Sequence, residues 1–307
     1  MSRYLFWRLL QALVSVFGVM TIVFVIMRLS GDPTLLLVPE GATREQIDEL
    51  RHQLGFDRPI PIQYLDFIAG LFRGDFGNSV VQRIPAVDIV ASRLLYTFVL
   101  AGGALVLAIG VGVPVGVLMA LWQGRPVERL LAAIVVSGQS MPTFLSGILL
   151  ILVFAVTLGW LPASGVGSAS SLVMPSIALG ALSMATFARM SRIAVVDELG
   201  KDYVRAGRAK GLSLWGVVRR HVLRNAALPV ITIAALEIGN LLAGAVIVET
   251  VFAWPGIGQL AIQSIQARDF VVVQVIVVFV ALIYVTMSLL ADLAYAALDP
   301  RIRMIKS

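Results

Sequence analysis

Long apolar stretches, each bounded by polar or charged residues, recur along the chain and decide its structural class. A helix needs about 20 apolar residues to cross the hydrocarbon core of a bilayer. Six stretches come close to or exceed that length, and they predict an all-α polytopic membrane protein with six transmembrane helices. The predicted spans are roughly 7–29, 94–122, 130–158, 172–191, 229–250 and 271–298.

The polar segment between the first two spans is predicted to be a small helical cap on the outer face. Thr43 followed by Gln46 matches a capping box, in which the two side chains satisfy backbone N–H groups at a helix start. The helical pattern that follows ends at Gly55. A second amphipathic stretch covers 64–72 and predicts a second helix.

Basic residues set the predicted orientation. The loop 189–228 carries nine Lys or Arg, whereas the loop 159–171 carries none. Under the positive-inside rule, the basic loop and both termini lie in the cytoplasm. The predicted divisions are a tail with the first span over 1–29, an outer segment over 30–93, a transmembrane domain over 94–298 with a cytoplasmic loop 192–228, and a tail over 299–307.

Composition excludes a soluble protein. Hydrophobic residues make up 59% of the 307 residues and charged residues 14%, with a mean hydropathy of +0.92. A soluble domain of this size could not bury so much apolar surface. The net charge of +6 is distributed as membrane orientation requires, so it does not indicate a nucleic-acid partner. The first apolar stretch is too long for a signal peptide and is predicted to remain as a span.

Catalytic and nucleotide-binding motifs are absent from the sequence. No G-x-x-x-x-G-K-[ST] loop and no H-E-x-x-H occurs. Gly138-Gln-Ser140-Met-Pro142 lacks the second glycine of a nucleophile elbow, and the chain has no cysteine. The sequence therefore predicts that the chain is not an enzyme and has neither a catalytic residue nor a metal site.

Small residues and prolines mark further features inside the spans. Gly112, Gly116 and Ala120 recur every four residues and predict a face that allows a neighbouring helix to approach closely. Pro114 and Pro142 lie within predicted spans, where proline can kink a helix and free its carbonyl groups. Ordinary packing is the favoured interpretation of these residues, and a hinge or pathway lining is the alternative.

Glu237 is the clearest ionisable residue inside a predicted span, and Asn240 follows three residues later. An acid at this depth is costly, so a pathway or gate role is one interpretation. Pairing with the nearby basic loop is the favoured alternative. Glu249 and Trp254 belong to another candidate segment, 249–258. Its Trp254 fits an interfacial anchor, and the segment fits equally well a part of the outer gate or of the binding-protein surface.

The central loop carries the most specific motif. It reads Tyr203-Val-Arg-Ala-Gly-Arg-Ala-Lys-Gly211 and, nine residues later, His221-Val-Leu-Arg-Asn-Ala-Ala-Leu-Pro229. This resembles the cytoplasmic loop of ABC-importer permeases, whose signature is E-A-A, three residues, Gly, nine residues, then I-x-L-P. Arg205-Ala206-Gly207 replaces E-A-A, and His221-x-Leu223-Arg224 replaces I-x-L-P. Both departures are typical of the dipeptide, oligopeptide and nickel branch of that family.

Six further segments, in order along the chain, resemble marks of the same branch and extend the resemblance over its whole length. They are Gly31-Asp32-Pro33, Gln63-Tyr64, Gly74-Asp-Phe-Gly-Asn-Ser79, Ser140-Met-Pro142, Glu249-Thr-Val-Phe-Ala-Trp-Pro-Gly-Ile-Gly258 and Leu298-Asp-Pro-Arg301. The early Gly-Asp-Pro and the extended outer segment resemble the first of two related permease subunits.

The resemblance implies a type I ABC importer transmembrane fold with a coupling helix at 201–210, broken at Gly211. A second helix over about 213–227 would return to the membrane, with Pro229 at the start of the fifth span. The coupling helix would sit in a cleft on an ATPase subunit. The residues implied in this coupling are Tyr203, Arg205, Ala206, Gly207, Arg208, Ala209, Lys210, Gly211, His221, Arg224 and Asn225.

The resemblance also implies the partners. These are a second homologous permease, two ABC ATPases that bind ATP and Mg, an extracytoplasmic substrate-binding protein and the lipid bilayer of a bacterial or archaeal inner membrane. The chain itself would bind no cofactor. A basic anchor at the lipid headgroups would explain the charges of the loop but not its motif. A stand-alone secondary carrier is the alternative of another class, disfavoured by the lack of inverted repeats.

The cargo is not determined by the sequence. The branch moves dipeptides, oligopeptides, glutathione-like peptides and nickel chelates, and the binding protein largely sets the specificity. Di- or oligopeptides are the first choice because they are the broadest cargo class of the branch.

Overall fold

A computed structural model describes residues 2–29, 34, 42–53 and 55–298. Two of the branch marks, Gly31-Asp32-Pro33 and the end of Leu298-Asp-Pro-Arg301, lie outside these residues. The predicted tail 299–307 and most of the chain between the first span and Thr43 lie outside them as well.

Helices make up nearly all of the described structure, because a helix satisfies its backbone hydrogen bonds internally wherever the sequence is apolar. A single antiparallel bridge between Asn78 and Pro85 is the strand-like pairing found in the described ranges. The helices are α1 Ser2–Leu29, α2 Arg44–Gln53, α3 Ile60–Arg73, α4 Ala86–Leu121, α5 Pro126–Ser140, α6 Thr143–Thr157, α7 Ala169–Leu199, α8 Asp202–Ala209, α9 Leu214–Val251, α10 Ile257–Gln266 and α11 Phe270–Leu298.

Four of these helices, α4, α7, α9 and α11, are long and apolar enough to cross a membrane, and α5 with α6 makes a fifth candidate. The first predicted span does form a helix over Ser2–Leu29, but the apolar stretch recognised within its described part is the shorter Leu13–Ile26. The structure therefore shows four to five of the six predicted spans as candidates by length and composition.

The predicted span 130–158 is not one straight helix. It is divided at Met141-Pro142, where α5 and α6 meet at an angle of 104°. Met141 is extended, with φ −86° and ψ 131°, because the ring of a following proline disfavours the helical conformation. Pro142 therefore breaks the helix, a larger effect than the kink allowed for in the sequence. Pro114, by contrast, lies inside the continuous α4.

Pro229 does not mark the start of a helix. It lies inside α9, which runs from Leu214 to Val251 with a π-helical turn at Val218–Val222 and so joins the predicted return helix to the predicted fifth span. Val217, Val218, Val222 and Ala226 are all buried in one apolar cluster. This burial stabilises the turns before Pro229, and it outweighs the loss of one backbone donor at the proline.

The described chain forms two compact units. The larger comprises Tyr96–Pro255 with Met287–Ser307, and the smaller comprises Met1–Leu95 with Gly256–Thr286. The predicted small-residue face packs within the larger unit, where a Cβ atom added at Gly112 would lie 2.5 Å from the Met184 carbonyl oxygen. A Cβ atom at Gly116 would overlap the carbonyl oxygen of Ala188. Close packing of α4 on α7 thus needs these glycines, which confirms the predicted packing role.

In the smaller unit, both helices predicted for the outer segment are present. The backbone N–H of Thr43 donates to Gln46 Oε1 at 3.0 Å and the N–H of Gln46 donates to Thr43 Oγ1 at 3.4 Å, which confirms the capping box. The α3 helix packs on α1, where the hydroxyls of Tyr64 and Thr21 are 2.6 Å apart and Phe24 contacts the Tyr64 ring.

Asp269 fixes the Gly74–Ser79 segment in the same unit. Its carboxylate accepts hydrogen bonds from the Ser79 hydroxyl and from the N–H groups of Val80 and Val81. It also accepts from the N–H of Val272, as an N-cap of α11 does. This branch mark therefore has a structural role, since it ties the loop to the start of a predicted span.

Candidate functional site

The predicted coupling helix is present as α8, and its end is set by Gly211. Gly211 has φ +84°, a left-handed conformation that favours glycine. Its N–H donates to the Arg208 oxygen at 2.9 Å, and the N–H of Leu212 donates to the Gly207 oxygen at 3.3 Å. These bonds satisfy the last carbonyl groups of the helix, so the predicted break at Gly211 is confirmed.

The two faces of α8 differ sharply. Val204 is buried in the cluster that also contains Val217, Val218 and Val222, and Gly207 packs against the Val217 side chain. The other face of α8 is exposed. We call the following residues the exposed face of α8: Arg205, Ala206, Arg208, Ala209 and Lys210.

The basic side chains on the exposed face of α8 form no strong ion pair within the described part of the chain. The Arg205 side chain is 78% exposed, and its nearest acid is Asp202, at 3.7 Å and itself exposed. A solvated ion pair of this kind contributes little to stability. The positive charge of Arg205 is therefore available to a partner without loss of a strong internal contact.

The structure also reveals a group at the base of α8 that the sequence analysis missed. Glu198, 9% exposed, lies at the end of α7. Its carboxylate accepts a hydrogen bond from the Tyr203 hydroxyl at 2.6 Å and one from the Asn225 amide at 3.3 Å, and it pairs with Lys201. One carboxylate thus joins α7, α8 and α9. In the sequence, Glu198 is an acid three residues before Lys201 at the end of an apolar span, which is only a weak indication of an ion pair. Nothing in the sequence connects Glu198 to Asn225.

Three of the predicted coupling residues lie at or beside Glu198 rather than on the exposed face of α8. They are Tyr203, His221 and Asn225. Tyr203 is half-buried, and its ring lies edge-on to that of His221, with 6.5 Å between the ring centroids. Burial and then the hydrogen bond to Glu198 raise the pKa of Tyr203 above its ordinary value. The phenol therefore stays protonated at neutral pH and donates to the carboxylate. His221 and Arg224 are exposed on α9.

A second ion pair links α7 to α5. Arg192 donates through Nε to Glu128 Oε1 at 2.7 Å, and Glu128 Oε2 accepts from the Gly124 N–H at 2.6 Å. Arg189 donates to the side-chain oxygen of Gln139 at 2.6 Å. These two arginines of the predicted cytoplasmic loop are therefore bound within the chain, unlike those on the exposed face of α8.

The intramembrane candidates fall into two environments. Glu237 is half-buried and accepts from the Ser183 hydroxyl at 2.5 Å and from the exposed Asn240 amide at 3.4 Å. Its observed partners lie on α7 and α9, not in the basic loop. Glu249 is 0% exposed and accepts from Thr97 at 2.7 Å.

Trp254 is 4% exposed, and its indole N–H donates to the Tyr96 oxygen at 2.9 Å. It belongs to the apolar cluster around Leu100 and Phe252. That cluster also contains Val248, which precedes Glu249 in the same helical turn. This geometry favours packing roles for Glu249 and Trp254. A pathway or gate role for either residue stays a prediction.

We expect Glu198→Ala to loosen α8, because it leaves Lys201, Tyr203 and Asn225 without their shared acceptor. Hydrogen bonds to a charged group are worth about 1.5–3 kcal/mol each, so amide exchange of α8 should accelerate by about tenfold or more. Hydrogen exchange read by mass spectrometry over 202–210 measures this effect. Asp197→Ala, which changes the adjacent exposed acid, is the matched control. Unchanged exchange in the Glu198 variant would refute the anchoring role.

Comparison with known proteins finds a family whose members match this chain on both sides of the central loop and across it. A family model described as "Binding-protein-dependent transport system inner membrane component" matches residues 112–304, and the model of the N-terminal part of such components matches residues 1–101. The glutathione transport system permease protein GsiC of Escherichia coli strain K12 is 41% identical over 304 residues, which cover 99% of each chain. GsiC of Shigella flexneri serotype 5b is equally similar.

Two solved structures share the fold. The MetNI methionine ABC transporter, in an inward-facing conformation, matches with a TM-score of 0.59 and 20% identity over 69% of this chain and 96% of that one. An amino acid ABC transporter with histidines matches with a TM-score of 0.51 and 19% identity over 67% and 92%. The two family models together cover the basic loop, the outer segment and the candidate spans except for residues 102–111 of α4. The chain therefore belongs to the inner-membrane components of binding-protein-dependent transport systems: it is a permease of an ABC importer, a multi-pass subunit that binds no cofactor of its own and works in a complex with ATPases and a binding protein.

Proposed function

We propose that this permease imports short peptides, a class that includes glutathione, and that it forms half of the translocation pathway. The observation that carries the proposal is the 41% identity over 99% of the chain to a permease named for glutathione transport. The peptide-branch form of the central loop, Tyr203 to Gly211, supports the same cargo class. The other half of the pathway would be a second homologous permease, with this chain as the first of the pair.

The proposed topology has six spans with both termini in the cytoplasm of a bacterial or archaeal cell. It adds α1 and the bent pair α5–α6 to the four long candidate helices. In this arrangement α8 faces one of the two ATPases in the cytoplasm, and α2 and α3 face the binding protein outside. The nine basic residues of the loop 189–228 support that orientation.

Energy would enter through the exposed face of α8. Its basic side chains are available to ATPase acids, while Val204 and the Glu198 contacts fix the opposite face to α7 and α9. A force applied at the exposed face of α8 would therefore reach two predicted spans directly. This is the physical basis for proposing that closure of the ATPases moves the permease.

The pathway would be lined by α9. Among the four long candidate helices, α9 has the smallest share of its apolar segment buried within the chain, 17% against 28%, 39% and 61%. It also carries Glu237 and Asn240, which lipid would solvate poorly. A helix with those two properties is best accommodated beside a second permease and a water-filled path.

ATP-driven uptake in proteoliposomes tests the proposed function. The permease pair, its ATPases and its binding protein are reconstituted with enclosed ATP, and labelled glutathione, dialanine and a nickel chelate are offered outside. We expect accumulation of at least one peptide that requires both ATP and the binding protein. Uptake of the nickel chelate alone, or peptide uptake without ATP, would contradict the proposal.

A further inference from the structure

Glu237 lies inside the predicted span 229–250, in the part of α9 that follows Pro229. It is eight residues beyond Pro229 and 14 before Val251, which corresponds to about 12 Å and 21 Å along the helix axis. Its hydrogen-bond donor Ser183 lies near the middle of the predicted span 172–191. An ionisable residue at this depth is expensive to keep and is therefore a candidate for function.

The cluster around Glu237 offers several hydrogen-bond acceptors. The Ser183 hydroxyl and the Asn240 amide both donate to the Glu237 carboxylate, so each uses a donor internally. The Asn240 side-chain oxygen and the remaining lone pairs of the carboxylate are acceptors. No Lys or Arg pairs with Glu237 in the part of the chain that the structure describes.

Asn240 lies on the uncovered side of α9. Leu236, Asn240, Ala243 and Ile247 are exposed and recur at helical spacing, so they form one continuous face. Glu237 borders this face and is half-buried, with one side against Ser183. The face is apolar except at its centre, where the Asn240 amide N–H donates to the Glu237 carboxylate.

We propose that Glu237, Asn240 and Ser183 form a transient site for the α-ammonium group of peptide cargo in the translocation path. An ammonium group carries one positive charge and several N–H donors and no acceptor, which complements a cluster of acceptors that bears an unpaired negative charge. Ser183 is a positioning residue, because it holds the carboxylate through a hydrogen bond. The inference rests on the proposed function, in which α9 lines the path.

Glu249 is an acid of the same helix in a different environment. It is 0% exposed and accepts from Thr97 inside an apolar cluster. Glu237 differs because it borders an exposed face and has an exposed amide beside it. Glu249→Gln is therefore the matched control for Glu237→Gln: it is the same chemical change, in the same helix, away from the exposed face.

Saturation-transfer NMR on the solubilised permease–ATPase complex, without binding protein, tests the site directly. The probes are glutathione and dialanine, each also in N-acetylated form, at millimolar concentration. We expect transfer to the free-amine peptides from the wild-type complex and from the Glu249→Gln control. In Glu237→Gln the transfer should fall by about tenfold, the effect of losing a charged hydrogen-bond partner. The N-acetylated peptides should give weak transfer with every variant.

Equal transfer from free and N-acetylated peptides, unchanged transfer in Glu237→Gln, or no transfer from the wild-type complex would each overturn the proposed site. None of these outcomes depends on ATP-driven uptake. If uptake succeeds and the NMR result is negative, the ammonium site is wrong while the proposed importer function stands. If peptide uptake itself fails, the proposed function is wrong.

Discussion

Reversing Arg205 and Arg208 to glutamate should abolish cargo uptake while the permease remains folded and inserted. Both side chains lie on the exposed face of α8, and neither forms a strong contact within the residues that the structure describes. The fold of α8 depends on Val204 and on the Gly211 break instead. Removing one partner of a desolvated charge pair costs about 2–5 kcal/mol, so reversal of two charges should reduce ATPase association by about a hundredfold or more.

Two measurements check this expectation. The yield of ATPase that co-purifies with the permease reports docking, and ATP-driven uptake in proteoliposomes reports coupling. Both should fall in Arg205→Glu/Arg208→Glu, whereas the amount of permease in the membrane should not.

The control for this experiment is Arg219→Glu/Arg220→Glu. These arginines are also exposed and belong to the same basic loop, but they lie on α9 rather than on the exposed face of α8. If the loop only anchored the chain at anionic lipid headgroups, the two double reversals would have similar effects, because headgroup attraction depends on net charge. Equal losses would therefore favour the lipid anchor and reject docking through α8.

Gly116→Ala should prevent stable packing of α4 on α7. The added Cβ atom would overlap the Ala188 carbonyl oxygen, and that oxygen belongs to a helix backbone that cannot move alone. Overpacking of a close contact typically costs about 1–3 kcal/mol, and the direct overlap with backbone places this case at the upper end. We expect a lower yield of the permease in membranes and a lower midpoint of thermal unfolding in detergent.

Gly110→Ala is the matched control in the same helix. A Cβ atom at Gly110 meets nothing within 4 Å, so the change adds no clash. Alanine inside a helix is favoured over glycine by about 0.5–1 kcal/mol, and the control should be at least as stable as the wild type. A Gly116→Ala variant with unchanged yield and unfolding midpoint would show that α4 and α7 are not packed as described.

Local features of the fold and of the central loop were predictable because their causes are close together in sequence. The capping box at Thr43 needs only Gln46, and the end of α8 needs only a residue such as Gly211 that accepts a positive φ. The close approach of α4 follows from the spacing of Gly112 and Gly116. The family resemblance rested on motifs of the same local kind, and the comparisons confirmed it.

The two wrong predictions, at Pro229 and Pro142, concern features that depend on packing rather than on neighbouring residues. The sequence placed a helix start at Pro229, but packing of Val217, Val218 and Val222 carries α9 through the proline. It also treated Pro142 as a kink within one span, whereas the residues before and after it form helices at 104° to each other. A proline restricts its own turn, and whether the helix bends, breaks or continues depends on what packs around it.

The sequence by itself determined the class of the protein, its central loop and its family, because hydropathy, charge and short motifs are properties of neighbouring residues. Only the tertiary structure decided which side chains meet. Glu198 finds Asn225 27 positions away, Glu237 finds Ser183 54 positions away, and Glu249 finds Thr97 152 positions away. Such pairs depend on the packing of whole helices against one another, which no local pattern encodes. That packing leaves Glu237 beside an exposed face and buries Glu249 completely.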